Sequence, residues 1–116
     1  LSSNVSLEEC AKVMAKNHVG ALVIKDNHES KGLITEQDIV RKIIAKGINP
    51  LTKKVRDFME TKLITIGTND DIYDALIKMR DYNIRHLPVV DKGKMVGLLT
   101  LKDVLKIEPS LFELLV

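Results

Sequence analysis

The sequence is poor in cysteine and in aromatic side chains, and neither sign of charge dominates it. Its 116 residues include one cysteine, two tyrosines, two phenylalanines and no tryptophan. The single cysteine, Cys10, excludes a disulfide framework within the chain and fits a reducing compartment, so we expect a cytoplasmic location. The formal net charge of +2 disfavours a strongly basic nucleic-acid binder. No apolar run approaches the ~20 residues that span a bilayer, so we expect no membrane segment.

Motifs for catalysis and metal binding are also missing. The chain has no P-loop, no dinucleotide-binding glycine fingerprint and no nucleophilic-serine elbow. Its three histidines, His18, His28 and His86, do not stand at metal-ligand spacing from one another or from Cys10. We therefore predict no metal site, no cofactor and no enzymatic activity.

What the sequence does have is an internal repeat with a period of 65 residues. When the chain is shifted by that amount, it matches itself without a gap. Apolar residues recur at positions i, i+3, i+4 and i+7 in both copies, which predicts amphipathic helices near 6–17 and 71–82. The segment Gly-Leu-Ile-Thr at 32–35 then coincides with Gly-Leu-Leu-Thr at 97–100. Chance similarity would rarely hold one register over such a length.

Each copy predicts the same order of elements, and hence a mixed α/β fold of two units. A helix precedes a short apolar strand at 21–24 or 87–90, a turn, a second strand and a closing helix. A further strand at 63–66 opens the second copy, whereas most of its counterpart would precede Leu1, so the first unit is expected to lack it. The predicted boundaries are 1–47 for the first unit, 48–62 for a linker, 63–108 for the second unit and 109–116 for a short C-terminal helix.

Two apolar segments follow from the same patterns. The closing helix of the first unit is predicted to place Ile39, Ile43 and Ile44 on one face and to end at Gly47. The apolar residues from Leu111 to Val116 predict a short helix after an N-cap serine. This helix would either pack into the core or, with the leading helices, form a surface for self-association.

The pattern G-h-h-T-x-x-D, in which h is apolar, occurs once in each unit. Asp38 follows Thr35 by three residues, and Asp103 follows Thr100 in the same way. One interpretation is a capping box, in which the threonine and aspartate side chains bond free amides where a helix begins. The other is a ligand site. A carboxylate here can accept two hydrogen bonds from a vicinal diol such as that of a ribose, and the threonine hydroxyl can bond an adjoining oxygen.

A phosphate on the same ligand would need positive charge nearby, and only the second unit offers it in sequence. Arg85 and His86 stand just before the apolar strand of that unit, and a guanidinium forms strong charge-assisted bonds to phosphate. The corresponding residues of the first unit, Gly20 and Ala21, carry no charge.

Together, the repeated units, the strand R-H-L-P-V-V at 85–90 and the closing G-L-L-T-x-x-D segment resemble a tandem cystathionine-β-synthase (CBS) domain pair, or Bateman module. The segment V-R-D-F-M at 55–59 resembles the family's lead-in to a unit. The resemblance implies two β-α-β-β-α units related by a pseudo-twofold axis. It also implies two clefts between the units that bind adenosyl ligands such as AMP, ADP, ATP or S-adenosylmethionine, and a homodimer in which two modules face each other as a flat disk.

The resemblance further assigns residues to the two clefts. In one cleft, ribose and phosphate contacts would come from the second unit: Leu98, Thr100, Asp103, Arg85 and His86. Val19 and Ala21 would flank the adenine there. In the other cleft, ribose contacts would come from the first unit, with two isoleucines beside adenine: Leu33, Thr35, Asp38, Ile64 and Ile84.

These features favour a non-enzymatic sensor of adenine nucleotides whose ligand state is read by an unidentified regulated protein. Because the first unit's site lacks a basic partner in sequence, the Asp103 site is expected to bind phosphate more strongly. Two alternatives remain: a structural dimerisation module with vestigial clefts, and a weak nucleic-acid binder.

Overall fold

The structure, a computed structural model, describes residues 1–110. The apolar helix expected up to Val116 therefore lies almost entirely outside the described residues. The chain divides into two compact units, Leu1–Lys62 and Leu63–Val116. In residues 1–110 no helix is both long and apolar enough to cross a bilayer.

The first unit opens with helix α1 (Leu7–Asn17) and continues into a β-hairpin. The Ser6 hydroxyl caps α1 by accepting a hydrogen bond from the Glu9 amide at 3.1 Å. Strands β1 (Ala21–Asp26) and β2 (Glu29–Thr35) pair antiparallel. The two residues between them, Asn27 and His28, both have positive φ, as a type I′ turn between twisted strands requires.

The closing helix of the first unit changes its winding soon after it begins. Helix α2 (Glu36–Asp38) continues as a π-helical segment, Ile39–Ile44. Within it Ile43 is fully buried, whereas Ile44 is 57% exposed. The prediction that Ile39, Ile43 and Ile44 lie on one face is thus wrong for Ile44, because the prediction assumed α-helical winding and this segment is π-helical, with hydrogen bonds from i to i+5. Gly47 follows with φ of +70°, the left-handed conformation expected after a helix end.

The segment that resembles the family's lead-in belongs structurally to the first unit. Val55–Asp57 forms a 3₁₀ turn, and Val55 is fully buried in the core of that unit. Beyond this turn, Leu33 in β2 and Glu60 exchange two backbone hydrogen bonds, of 2.9 and 2.8 Å. The outer edge of β2 is therefore covered at that point.

The core of the first unit is formed by α1, the hairpin and the segments that follow it. Cys10 lies in it with no exposed surface, as the apolar stripe predicts. Burial raises the pKa of the Cys10 thiol above its ordinary value, because the thiolate loses its hydration. The buried members are Leu7, Cys10, Met14, Ile24, Ile34, Ile43 and Val55.

The second unit repeats this arrangement with one more strand. Strand β3 (Ile66–Gly67) pairs parallel to β4 (His86–Asp91), which pairs antiparallel to β5 (Lys94–Thr100). In sequence, helix α3 (Ile72–Tyr82) connects β3 to β4, and helix α4 (Leu101–Ile107) follows β5. The buried core residues are Ile66, Ala75, Leu76, Met79, Leu87 and Val104.

The two hairpins match residue for residue under the 65-residue shift. Ala21 pairs with Thr35, and His86 pairs with Thr100. Both ladders also skip one residue at the same place, Lys31 in β2 and Val96 in β5, which leaves a β-bulge in each hairpin. The predicted mixed α/β fold of two repeated units is confirmed.

The described sheets differ in strand number, as the sequence leads one to expect. The first has two strands and the second has three. The Leu1 carbonyl accepts a hydrogen bond from the Lys25 amide of β1 at 2.8 Å. Leu1 corresponds in the repeat to Ile66, which pairs with β4 in the second unit.

Candidate functional site

The repeated motif forms a capping box in both units. In the first, the Thr35 hydroxyl accepts a hydrogen bond from the Asp38 amide at 3.1 Å, and Asp38 Oδ2 accepts one from the Thr35 amide at 3.0 Å. In the second, the Asp103 amide donates to the Thr100 hydroxyl at 3.1 Å, and the Thr100 amide donates to Asp103 Oδ2 at 3.4 Å. The capping-box interpretation is therefore confirmed.

A capping box uses only part of the hydrogen-bonding capacity of an aspartate. A carboxylate has two oxygens and roughly four lone-pair positions, and the box uses only Oδ2 in each unit. Oδ1 takes no part in the box, so its lone pairs can accept from other groups. The structural role of the motif is thus compatible with ligand binding by the same side chain.

The surroundings of the two aspartates differ. Asp38 Oδ1 lies 3.2 Å from Lys42 Nζ, in an ion pair between helix positions i and i+4. Asp103 is exposed, and Ile107 stands where a lysine would have to be to make the same pair. In the described part of the chain no ion pair involves Asp103.

Lys42 was not among the residues singled out from the motif. The spacing of four residues between an acid and a base on one helix was the signal that could have identified it. The motif itself stops at Asp38, so a pattern confined to the repeat misses a residue that only one copy carries.

Arg85 lies where α4 begins. Its carbonyl accepts a hydrogen bond from the Leu101 amide at 2.9 Å, and its side chain is exposed. The next residue, half-buried His86, pairs with Thr100 across the hairpin. The structure therefore brings Arg85, His86, Thr100 and the start of α4 together at one end of the β4–β5 hairpin.

The first unit has the same backbone arrangement without the charge. The Gly20 carbonyl accepts a hydrogen bond from the Glu36 amide at 2.9 Å. Gly20 and Ala21 thus occupy the positions of Arg85 and His86 relative to the closing helix.

The apolar residues expected beside adenine differ in how far they are buried. Val19 is 41% exposed, whereas Ala21 is buried at the start of β1. Ile64 and Ile84 are half-buried against the core of the second unit. Their expected role beside adenine stays a prediction.

The two leucines of the motif also differ in burial. Leu33 is 6% exposed and is bridged to Glu60. Leu98 is half-buried and pairs with Pro88. Their roles as ligand contacts likewise stay predictions.

An open groove lies on the first unit between α1 and the helix that closes the unit. Met14, His18 and Val19 line one side of it, and Ile39 and Val40 line the other. Val40 is 59% exposed, and Ile44, one turn further along, is 57% exposed. Glu36 also lines the groove, so its lining is of mixed polarity, and Val40 and Ile44 are the exposed apolar side chains of the helix beside it.

Comparison with protein families gives one match that extends over most of the chain. The family model described as the CBS domain matches residues 1–45 and 55–110. The two matched stretches contain the first unit's helices and hairpin and all described residues of the second unit.

The chain is also similar to individual relatives and to solved structures, two of which contain CBS domains. An uncharacterized protein of Methanocaldococcus jannaschii is 36% identical over 99% of the chain, which spans 63% of the length of that relative. A CBS domain protein from Pyrobaculum aerophilum complexed with AMP has a TM-score of 0.81 and 31% identity, covering 99% of this chain and 88% of that one. The CBS domain pair of protein MJ0100, in complex with 5-methylthioadenosine and S-adenosyl-L-methionine, has a TM-score of 0.78 and 34% identity, covering 91% and 87%.

Proposed function

Because this chain belongs to the CBS domain family, we propose that it is a non-enzymatic regulatory module that binds an adenosyl ligand such as AMP, ADP, ATP or S-adenosylmethionine. The ligand state would be passed to a partner protein. The observation that carries the proposal is that Asp103 Oδ1 has no hydrogen bond or ion pair within residues 1–110 and lies at the end of the hairpin that also carries Arg85. The complexes of similar structures with AMP and with S-adenosyl-L-methionine support the ligand class.

In this proposal Asp103 holds the ribose. Its Oδ2 is engaged by the Thr100 amide, which fixes the orientation of the carboxylate before ligand arrives. Oδ1 can then accept hydrogen bonds from the ribose diol, and the Thr100 hydroxyl can still accept one more. A side chain that is already oriented loses little conformational freedom when it binds.

Arg85 takes the phosphate in this proposal. A guanidinium is permanently charged and can donate two parallel hydrogen bonds to one phosphate. His86, the next residue, stands beside it as a second candidate contact for the phosphate. The site in the second unit is thereby suited to a phosphorylated adenosine.

The proposal predicts that Asp103→Ala and Arg85→Ala remove contacts to different parts of the ligand, the ribose and the phosphate. Asp103→Ala should weaken AMP and adenosine alike by about 1–3 kcal/mol, the usual cost of leaving polar partners unpaired. Arg85→Ala should weaken AMP and leave adenosine unchanged, because only AMP carries a phosphate. Isothermal titration calorimetry of both ligands on both variants measures these differences.

Asp38→Ala is the matched control, since it removes the corresponding capping-box carboxylate from the other unit. We expect it to weaken AMP less than Asp103→Ala does. If both aspartate variants only lower the melting temperature and keep full ligand affinity, the motif serves as a helix cap alone. Equal losses of AMP and adenosine in Arg85→Ala would remove the phosphate assignment.

We also propose that the module forms a homodimer through the exposed side chains of Val40 and Ile44 in the first unit. Val40 and Ile44 are exposed one helical turn apart beside the groove that Val19 lines. A second copy of the chain would bury these side chains and contribute the hydrophobic free energy of their removal from water.

Val40→Asp should shift the protein from dimer to monomer, because a carboxylate in an apolar interface loses its hydration without gaining a partner. Sedimentation velocity over a range of concentrations measures the shift. Leu51→Asp is the matched control, since Leu51 is 60% exposed in the same unit but outside the groove. A wild-type protein that stays monomeric at high concentration would contradict the proposal.

A further inference from the structure

We propose that Lys42 masks Asp38 and thereby lowers the affinity of the first unit for the ribose of an adenosyl ligand. The inference deepens the proposed function and rests on it. It makes Lys42 a residue that determines how differently the two aspartates of the repeat bind the same ligand.

Both oxygens of Asp38 are engaged within the first unit. Oδ2 accepts the hydrogen bond from the Thr35 amide at 3.0 Å, and Oδ1 lies 3.2 Å from the Lys42 ammonium. The Asp38 side chain is only 16% exposed, whereas that of Lys42 is 43% exposed. A ribose diol that approaches Asp38 must therefore displace the ammonium from Oδ1 or share that oxygen with it.

The second unit provides the unmasked counterpart at the same register. Residue 107 corresponds to residue 42, and it is an isoleucine that is 63% exposed. An isoleucine cannot pair with Asp103, so Oδ1 of that carboxylate keeps its accepting capacity. The two closing helices thus present the same aspartate in two electrostatic states.

The size of the masking effect follows from the exposure of the pair. Ion pairs of this kind between helix positions i and i+4 are worth about 0.3–0.5 kcal/mol, and exposed pairs reach about 1 kcal/mol. At 1.4 kcal/mol per factor of ten in affinity, this range is a roughly two- to fivefold effect. Salt screens a partly exposed pair, so masking should weaken as ionic strength rises.

The test is to give the first unit the residue of the second. In an Asp103→Ala background, which leaves Asp38 as the ribose-binding carboxylate, Lys42→Ile should tighten adenosine binding about two- to fivefold at low salt. The gain should shrink at ~0.5 M salt, where the Debye length is only a few ångströms. Adenosine is the probe because it has no phosphate that could interact with the lysine directly.

Lys46→Ile in the same background is the control for a general loss of positive charge. No ion pair is recorded for Lys46 in residues 1–110, so it should leave adenosine affinity unchanged. Unchanged or undetectable adenosine binding by the Lys42→Ile protein overturns the masking proposal. So does a selective loss of AMP affinity, since Lys42 would then serve the phosphate. A wild-type chain that binds none of the adenosyl ligands instead overturns the proposed function itself.

Discussion

Leu87→Ala is expected to destabilise the protein by about 2–5 kcal/mol, the range for large-to-small substitutions in a well-packed core. Leu87 has no exposed surface and lies in the core of the second unit. Removing its side chain loses the transfer free energy of three carbons and leaves a cavity among residues that are themselves buried. Urea denaturation followed by circular dichroism measures the loss.

Leu22→Ala is the matched control, because Leu22 takes the same position in the first hairpin. Leu22 is only half-buried against its core, so its truncation should cost clearly less. Equal losses of unfolding free energy in the two variants would mean that the burial of these leucines does not determine how much each stabilises the protein.

Gly32→Ala and Gly97→Ala are expected to change stability in opposite directions. A Cβ at Gly32 would lie 2.9 Å from the Glu60 carbonyl oxygen and 2.9 Å from two side-chain atoms of Met59. Since the backbone oxygen is held by the bridge to Leu33, the strain should cost about 1–3 kcal/mol. In the described residues a Cβ at Gly97 meets nothing within 4 Å, and the more restricted unfolded chain should add about 0.4–1 kcal/mol of stability.

Thermal unfolding of the two glycine variants measures this difference under identical conditions. The chemical change is the same in both, and both glycines lie at the same register in their hairpins. Melting temperatures that fall by the same amount would show that the close approach of 59–60 to β2 does not restrict residue 32.

The sequence repeat predicted the features that depend on local pattern. Both leading helices and both hairpins lie where the apolar spacing placed them, and each hairpin is followed by the expected closing helix. These elements could be predicted because periodicity and helix caps are encoded within a few residues.

The differences between the units could not be predicted in the same way. The bridge from Leu33 to Glu60 joins residues that are far apart in sequence, and the repeat contains no pattern for it. The exposure of Ile44 depends on how the π-helical segment faces the core. The ion pair of Asp38 depends on a lysine that has no counterpart in the second unit.

The β-bulge shared by both hairpins bears on the history of the chain. The extra residue is a lysine in one hairpin and a valine in the other, and the strand residues opposite also differ. The residue that follows the extra one is glycine in both hairpins, Gly32 or Gly97, and glycine within a strand often accompanies a bulge. A bulge changes the twist of a strand and is kept within families. The recurrence of the bulge and its glycine one 65-residue period apart is what duplication of one ancestral unit would leave.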